Sequence, residues 1–132
     1  MKWVRTALVL AALPAIAGCG RADDERKVSA VTLRFLTAIA ADDGERACGQ
    51  LSPGAVKALE QDESESCPQA ARGLDLRPSR VVRAQVFATA AKIDLADGDS
   101  AFAELTSAGW RLAAAGCRPV GGDRPYECEV EA

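Results

Sequence analysis

Cys19 is the residue whose surroundings point most directly to chemistry. It follows Ala17 and Gly18 at the end of an apolar run, "ALVLAALPAIAG", which lies behind the basic residues Lys2 and Arg5. A basic tip, an apolar stretch and a patch of small residues are the three parts of an export signal. Small side chains let a peptidase reach the backbone, and a thiol can be alkylated to a stable thioether. We therefore predict an export signal over residues 1–18, cut beside a thiol that is open to modification.

Residues 16–19, Ile-Ala-Gly-Cys, resemble the lipobox of bacterial lipoproteins. The resemblance implies that Cys19 receives a diacylglycerol and becomes the first residue of the mature chain. Two acyl chains are enough for stable anchoring, which would hold the protein at the outer face of the cytoplasmic membrane. The apolar run is too short for a transmembrane helix, which needs about 20 residues. The alternative is an ordinary secretory signal that is cut beside a cysteine.

The remaining cysteines, Cys48, Cys67, Cys117 and Cys128, form an even set in a chain that leaves the cytosol. Outside the cytosol such cysteines are usually oxidised, and four of them allow three pairings. We favour Cys48 with Cys67 and Cys117 with Cys128, because each pair falls within one predicted half of the domain; the other two pairings stay open. A zinc site would need histidines or C-x-x-C spacing, which this chain lacks, so we expect no metal and no other cofactor.

Carboxylates offer the other possible chemistry. The chain has no histidine, which excludes a Ser-His-Asp or Cys-His arrangement and an imidazole base. Asp94 and Glu104 lie in predicted strands and could serve as acid or base. Because they alternate with Ile93 and Leu105, we interpret them as solvent-facing surface charges.

Two acidic clusters have both a binding and a structural interpretation. Glu127, Glu129 and Glu131 alternate on the predicted last strand, where they would share one face. Such a face could bind a cation or a basic partner, but it is also typical of a solvated row that protects an edge strand. Residues 62–65 hold three carboxylates without the regular spacing and positioned glycine of a calcium loop. We favour a solvated face and a solvated loop.

Charge and length suggest one domain without a nucleic-acid partner. Removal of residues 1–18 leaves 14 basic residues against 19 acidic ones, a net charge of −5 instead of −3. A nucleic-acid-binding domain would need a clustered basic face. Residues 19–28 begin with Cys19 and the charged stretch "GRADDERK", which predicts a short tether. Residues 29–132 then form a single domain.

The first half of this domain is predicted to be helical. Apolar residues recur at helical spacing from Val31 to Ile39, behind a possible cap at Ser29, and the "DDG" stretch ends this helix. Two short helices are predicted over "GERACGQL" and "CPQAARGL". Between them, "SPGAVKALE" opens with Ser52 as a cap and Pro53 at the first helical position, and "QDESES" is predicted to be a polar loop.

The second half of the domain is predicted to form an antiparallel meander. Its strands are "SRVVRAQVFA", "AAKIDLA", "AFAEL", "WRLAAAGC" and "YECEVEA". Among the turns between them, Asp97-Gly98 is a strong hairpin signal. Helices followed by strands indicate an α+β domain, with the N-terminal helices packed on one face of a curved antiparallel sheet.

Three stretches, "FLTAIAADDGERACGQLSP", "DGDSAFAELTSAGWRLAAAGCRP" and "RPYECEV", resemble small exported lipoproteins of high-GC Gram-positive bacteria. Those proteins look like members of the nuclear transport factor 2-like superfamily, also called cystatin-like cone folds. The similarity covers about residues 29–53 and 98–130. It implies helices that cradle a strongly bent sheet, which often encloses a cone-shaped pocket. It implies no single activity, since isomerases, dehydratases and binding domains share this fold.

Trp110 and Phe102 are predicted to lie in the core, or in the pocket wall if there is a pocket. Isomerases of the superfamily set an aspartate base opposite a tyrosine and a protonated acid. In this chain the only tyrosine, Tyr126, lies two residues before Cys128 at the predicted sheet edge. That placement does not match the isomerase pattern.

The leading hypothesis for function is a membrane-anchored binding or interaction module that is not an enzyme. Its partners would be the membrane, through the lipid on Cys19, and a small apolar ligand or an envelope protein. The alternative is a small acid–base enzyme, isomerase- or dehydratase-like, that uses carboxylates in the cone pocket. A pocket carboxyl with a raised pKa would favour the enzyme. An apolar pocket would favour a ligand binder, and an exposed apolar patch a protein partner.

Overall fold

The structure, a computed structural model, describes residues 19–132. The helices come first: α1 (Cys19–Ala40), α2 (Gly44–Gln50), α3 (Pro53–Glu63) and α4 (Cys67–Arg72). The strands follow: β1 (Val81–Phe87), β2 (Ala90–Leu95), β3 (Ser100–Thr106), β4 (Gly109–Pro119), β5 (Tyr126–Glu127) and β6 (Val130–Glu131). The α+β prediction is therefore confirmed. The expected export signal and its cleavage point lie outside the described residues.

Side-chain caps explain where α2 and α3 begin. The Asp43 carboxylate accepts a hydrogen bond from the Arg46 N–H at 3.0 Å. The Ser52 hydroxyl accepts one from the Ala55 N–H at 3.3 Å, with Pro53 at the first helical position. Both caps satisfy backbone donors that have no partner inside the helix. The start predicted at Ser52 is confirmed, whereas the predicted loop "QDESES" is shorter, because α3 continues to Glu63.

The start of α1 corrects the sequence analysis. The charged segment 20–27, expected to be a short tether ahead of the domain, is helical and continuous with the rest of α1. Ser29 is not a cap, since its hydroxyl donates to the Glu25 carbonyl at 2.7 Å inside the helix. Lys27 pairs with Asp23 at 2.7 Å one turn earlier, which supports a helix whose surface carries charge. The segment therefore rises by about 1.5 Å per residue, as a helix does, and spans less than half the length that an extended chain of the same residues would reach.

The sheet is open and antiparallel. Its strand order is β1-β2-β3-β4-β5, and β6 also pairs with β4. The predicted Asp97-Gly98 turn joins β2 to β3, with Gly98 at φ +95°, a conformation that glycine adopts readily. The predicted last strand is split in two: β5 pairs with Arg118 and Pro119, and β6 pairs with Ala114 and Ala115.

The helices cover one face of the sheet, and the space between them is filled. Phe35 from α1, Ile93 from β2 and Leu112 from β4 are fully buried in one cluster. Small side chains such as Ala91 and Ala101 complete the cluster from the strands. The opposite face of the sheet has no helix in the described part of the chain, and we call it the helix-free face.

Two disulfides tie the elements together. Cys48–Cys67 joins α2 to α4, and Cys117–Cys128 joins β4 to the segment between β5 and β6. This is the pairing favoured by the sequence. Disulfides persist in oxidising compartments, so their presence is consistent with a protein outside the cytosol. Within residues 19–132, no helix combines the length and the apolar character that a membrane span requires.

Candidate binding site

Phe102 and Trp110, predicted as core or pocket wall, lie on opposite faces of the sheet. Trp110 is only 4% exposed and belongs to the core cluster beneath the helices. Phe102 is half-buried on the helix-free face, since β3 alternates between core positions at Ala101 and Ala103 and outward positions. The two aromatic residues therefore do not form one pocket.

Phe102 forms an aromatic pair with Tyr126. Their ring centroids are 5.0 Å apart and the rings meet edge to face at 70°, an arrangement that aromatic side chains prefer. Beside the pair is a cavity of about 480 Å³. Small or apolar residues of β4, of the following loop and of the segment between β5 and β6 form much of its wall: Ala113, Ala114, Pro125 and Cys128. The helix-free face therefore carries a largely apolar cavity, whereas the cone-shaped pocket implied by the resemblance would lie between the helices and the sheet.

The charged residues of this cavity are exposed. Asp123, Arg124 and Glu131 line it together with the aromatic pair. One cation and two anions around an apolar floor allow a ligand to be held by its apolar body and oriented by its polar end. We call this cavity, with its lining residues, the aromatic cavity.

Tyr126 is positioned by pairing at the end of β4. It lies opposite Pro119, and Glu127 lies opposite Arg118. The Val120 N–H donates to the Pro125 carbonyl at 3.4 Å, which closes the base of the loop before Tyr126. The Cys117–Cys128 disulfide holds the same segment from its other side. The β4–β5 pairing, the hydrogen bond at the base of the loop and the disulfide therefore together set the position of the Tyr126 ring.

Lys92 and Asp94 form a polar cluster next to the aromatic pair. Lys92 lies opposite Phe102 in the β2–β3 register, and its Nζ is 5.5 Å from the Tyr126 ring centroid, within the range of a cation–π contact. The same Nζ is 3.2 Å from Asp94 Oδ1. The Ser100 hydroxyl donates to that carboxylate at 2.8 Å.

These contacts keep both groups ionised. The Tyr126 side chain and then the Asp94 carboxylate raise the pKa of Lys92. For Asp94, partial burial opposes ionisation, but the Ser100 hydroxyl and the Lys92 ammonium outweigh it and lower the pKa of the carboxyl. A general acid that works near neutral pH needs a raised carboxyl pKa. Asp94 is shifted in the opposite direction and acts here as a partner for Lys92.

The two carboxylates interpreted as surface charges differ in their surroundings. Glu104 is exposed and lies opposite Arg111 on β4. Asp94 has a side chain only 28% exposed, and it is paired as described above. The alternation of residues in the sequence predicts the correct face of the sheet for both carboxylates. It cannot show that Ser100, at the start of β3, lies within hydrogen-bonding distance of Asp94.

Replacing Asp94 with asparagine is expected to lower the free energy of unfolding at neutral pH by about 1 kcal/mol, because a half-buried charge pair and a charged hydrogen bond are lost. Since the pKa of Asp94 is lowered on folding, its stabilisation is complete above the unfolded value of 3.8 and is lost as the pH falls through the folded value. Urea unfolding of both proteins at pH 7 and at about pH 2.5 measures the difference. The exposed Glu104→Gln is the matched control. A difference that stays constant between the two pH values would contradict this role.

The residues of both acidic clusters are exposed, and the glutamates of the cluster on the predicted last strand line two different clefts. Glu131 lines the aromatic cavity, whereas Glu127 and Glu129 line a separate cleft beside Arg118. The three glutamates therefore do not share one face, because the last strand is split. Asp62 lies in the last turn of α3 and is exposed. Among residues 19–132, no three His, Cys, Asp or Glu side chains come together as a metal site.

Comparison of the chain with protein-family models, with curated proteins and with solved structures finds no match in any of the three. The interpretation of the site therefore depends on its own geometry. Two of its members, Tyr126 and Lys92, were not predicted as site residues. The one available signal was that Tyr126 lies two residues before a cysteine that pairs with β4.

Proposed function

We propose that this protein is a lipid-anchored extracytoplasmic binding module that holds a small ligand in the aromatic cavity. The observation that carries this proposal is the cavity of about 480 Å³ beside the edge-to-face pair of Phe102 and Tyr126. Ligand sites typically have volumes of about 300 to 1,000 Å³ and an apolar lining with a few polar groups. A sheet and a disulfide support this lining, which reduces the entropy lost on binding.

The charge state of the neighbouring groups supports binding over acid–base catalysis. Asp94 is held ionised by Ser100 and Lys92, which both contact its Oδ1. A carboxyl that exchanges protons with a substrate in the aromatic cavity would need a pKa nearer neutrality and a place in the cavity wall, whose lining does not include Asp94. The arrangement is suited to recognition through shape, ring contacts and fixed charge.

The lipid attachment site in this proposal is Cys19. The lipobox-like Ile-Ala-Gly-Cys stretch supports it, and the two disulfides are consistent with an oxidising compartment. Attachment there would place the domain on the outer face of the cytoplasmic membrane, within reach of ligands or partners in the cell envelope.

We also propose a relationship to the nuclear transport factor 2-like cone folds. Helices on one face of an open antiparallel sheet support it. The space between helices and sheet, where a cone pocket would lie, is filled by Phe35, Ile93 and Leu112. The proposed ligand site is therefore on the other face, beside Tyr126.

The aromatic cavity can be tested with the fluorescent probe 1-anilinonaphthalene-8-sulfonate, whose rings match the apolar floor and whose sulfonate matches Arg124. Ala113 is half-buried and lines the cavity, so Ala113→Leu fills part of its volume. We expect this substitution to weaken probe binding by about tenfold, the effect of losing roughly 1.4 kcal/mol of contacts. Titration followed by fluorescence measures the dissociation constant.

Ala90→Leu is the matched control, because Ala90 is exposed on β2 and does not line the aromatic cavity. It should bind the probe like the wild type. Equal affinity of Ala113→Leu and the wild type would contradict a ligand site in this cavity. Circular dichroism of each variant shows whether the fold is retained.

A further inference from the structure

The two ends of the sheet differ in charge. At one end, the β1–β2 turn with its flanking strand residues (Phe87-Ala88-Thr89-Ala90) and the β3–β4 turn with its flanking strand residues (105–109, Leu-Thr-Ser-Ala-Gly) contain no charged residue. Phe87 is 60% exposed and Leu105 is 47% exposed, and Ala88, Thr89 and Ala108 are exposed as well. The other end has a cleft lined by charged residues: Asp75, Arg77, Asp97, Asp99 and Arg118. We call the first end the uncharged tip.

A hydrogen bond holds the two turns of the uncharged tip side by side at one end of the sheet. The Leu105 N–H donates to the Thr89 carbonyl at 2.8 Å, which sets the β1–β2 turn beside the end of β3. Leu105 lies opposite Trp110 in the β3–β4 register. The exposed apolar side chains of Phe87 and Leu105, beside the two turns, therefore belong to the same end of the sheet.

The start of α1 lies next to this tip. The Trp110 indole N–H donates to Asp24 Oδ1 at 3.1 Å, and Asp24 and Lys27 line one cleft with Leu105 and Trp110. Cys19 begins α1 five residues before Asp24, a distance of about 7.5 Å along a helix. A lipid on Cys19 would therefore enter the bilayer close to the uncharged tip.

The backbone of the β1–β2 turn adds an independent observation. Ala88 has φ +54°, a left-handed conformation that such two-residue turns usually fill with glycine, asparagine or aspartate. Because the residue at this left-handed position is alanine, the β1–β2 turn carries a methyl group there and no polar side chain.

We propose that the uncharged tip rests on the membrane, with Phe87 and Leu105 inserted among the lipid headgroups. This inference depends on the proposed attachment at Cys19. The occupant is the bilayer because α1 is helical from Cys19, so there is no extended spacer to lift the tip away from the lipid. Apolar side chains at the boundary of headgroups and acyl chains gain free energy as they leave water. The loop of residues 120–125, which borders the aromatic cavity, follows the far end of β4 and faces away from the bilayer.

The test uses the chain from Cys19 onward, coupled through the Cys19 thiol to a maleimide lipid in vesicles of phosphatidylcholine and phosphatidylglycerol. Phe87→Trp and Leu105→Trp report from the tip, and Val120→Trp is the matched control, because Val120 is also exposed and lies past the far end of β4. Brominated lipids quench tryptophan only near the acyl chains. After subtraction of the signal of Trp110 in the parent chain, we expect at least about threefold more quenching at positions 87 and 105 than at 120, as for side chains inserted to the headgroup boundary.

Equal quenching at all three positions would overturn the proposal. A dimer of the uncoupled chain in sedimentation, abolished by Phe87→Asp, would also overturn it, since a second copy would then cover the tip. Because the coupling is chemical, neither result depends on whether cells acylate Cys19. Fatty-acid labelling tests that attachment separately.

Discussion

Replacing Trp110 with alanine is expected to lower the free energy of unfolding by about 3 to 5 kcal/mol, the range for large aromatic residues removed from a core. Trp110 is 4% exposed and packs in the cluster between the helices and the sheet. Its indole N–H also donates a hydrogen bond to Asp24 Oδ1 at 3.1 Å, and this bond connects the first turns of α1 to β4. The substitution therefore removes apolar contacts, leaves a void and releases the start of α1. Urea unfolding with both disulfides intact measures the change.

Two further variants separate the contributions of Trp110. Trp110→Phe keeps most of the apolar volume but has no N–H donor, so its loss should be intermediate, with a hydrogen bond to a charged group accounting for about 1.5 kcal/mol or more. Phe87→Ala removes an aromatic ring that is 60% exposed, and its effect should stay within about 0.5 kcal/mol. If Trp110→Ala changed the free energy of unfolding by less than about 1 kcal/mol, Trp110 would not be a core residue.

Local signals in the sequence predicted most of the fold. Ser52 followed by Pro53 marks the start of α3, and the structure shows the predicted cap. Asp97-Gly98 marks the β2–β3 hairpin, where Gly98 has a positive φ. In each case a side chain acts on backbone within a few residues, so the pattern is sufficient. The cysteine pairing also followed from position, since each disulfide joins residues of the same half of the domain.

The first turns of α1 were missed because part of their support is distant in sequence. Residues 20–27 have no apolar periodicity, and their composition is typical of a tether. The helix is held by the ion pair of Asp23 with Lys27 and by the hydrogen bond of Asp24 with Trp110, which lies 86 residues later. A pattern of local residue types cannot show the second contact.

The site was missed because it depends on strand register. Irregularities in the β3–β4 pairing, around Ser100, Phe102 and Ala103, change which residues lie opposite one another. The split of the last strand then brings Tyr126 to Phe102 and separates Glu131 from the other two glutamates. Alternation along one strand predicts its faces, but the partner across the sheet depends on irregularities that the sequence does not mark.

Replacing Cys19 with serine is expected to abolish incorporation of fatty acid and to release the protein from the membrane fraction. A serine hydroxyl forms no thioether with a diacylglycerol, and a chain without acyl groups loses about 0.8 kcal/mol of membrane affinity for every methylene that was buried. Gly20→Ser is the matched control, because Gly20 is the next residue and a side chain there meets no atom within 4 Å. It keeps the thiol and should be labelled like the wild type.

The most direct test of a lipid-anchored module is therefore labelling with a radioactive fatty acid in a bacterial host that makes lipoproteins. The expected result is label in the wild type and in Gly20→Ser, and none in Cys19→Ser. Label that persists in Cys19→Ser, or a wild-type protein that takes up none, would contradict attachment at Cys19.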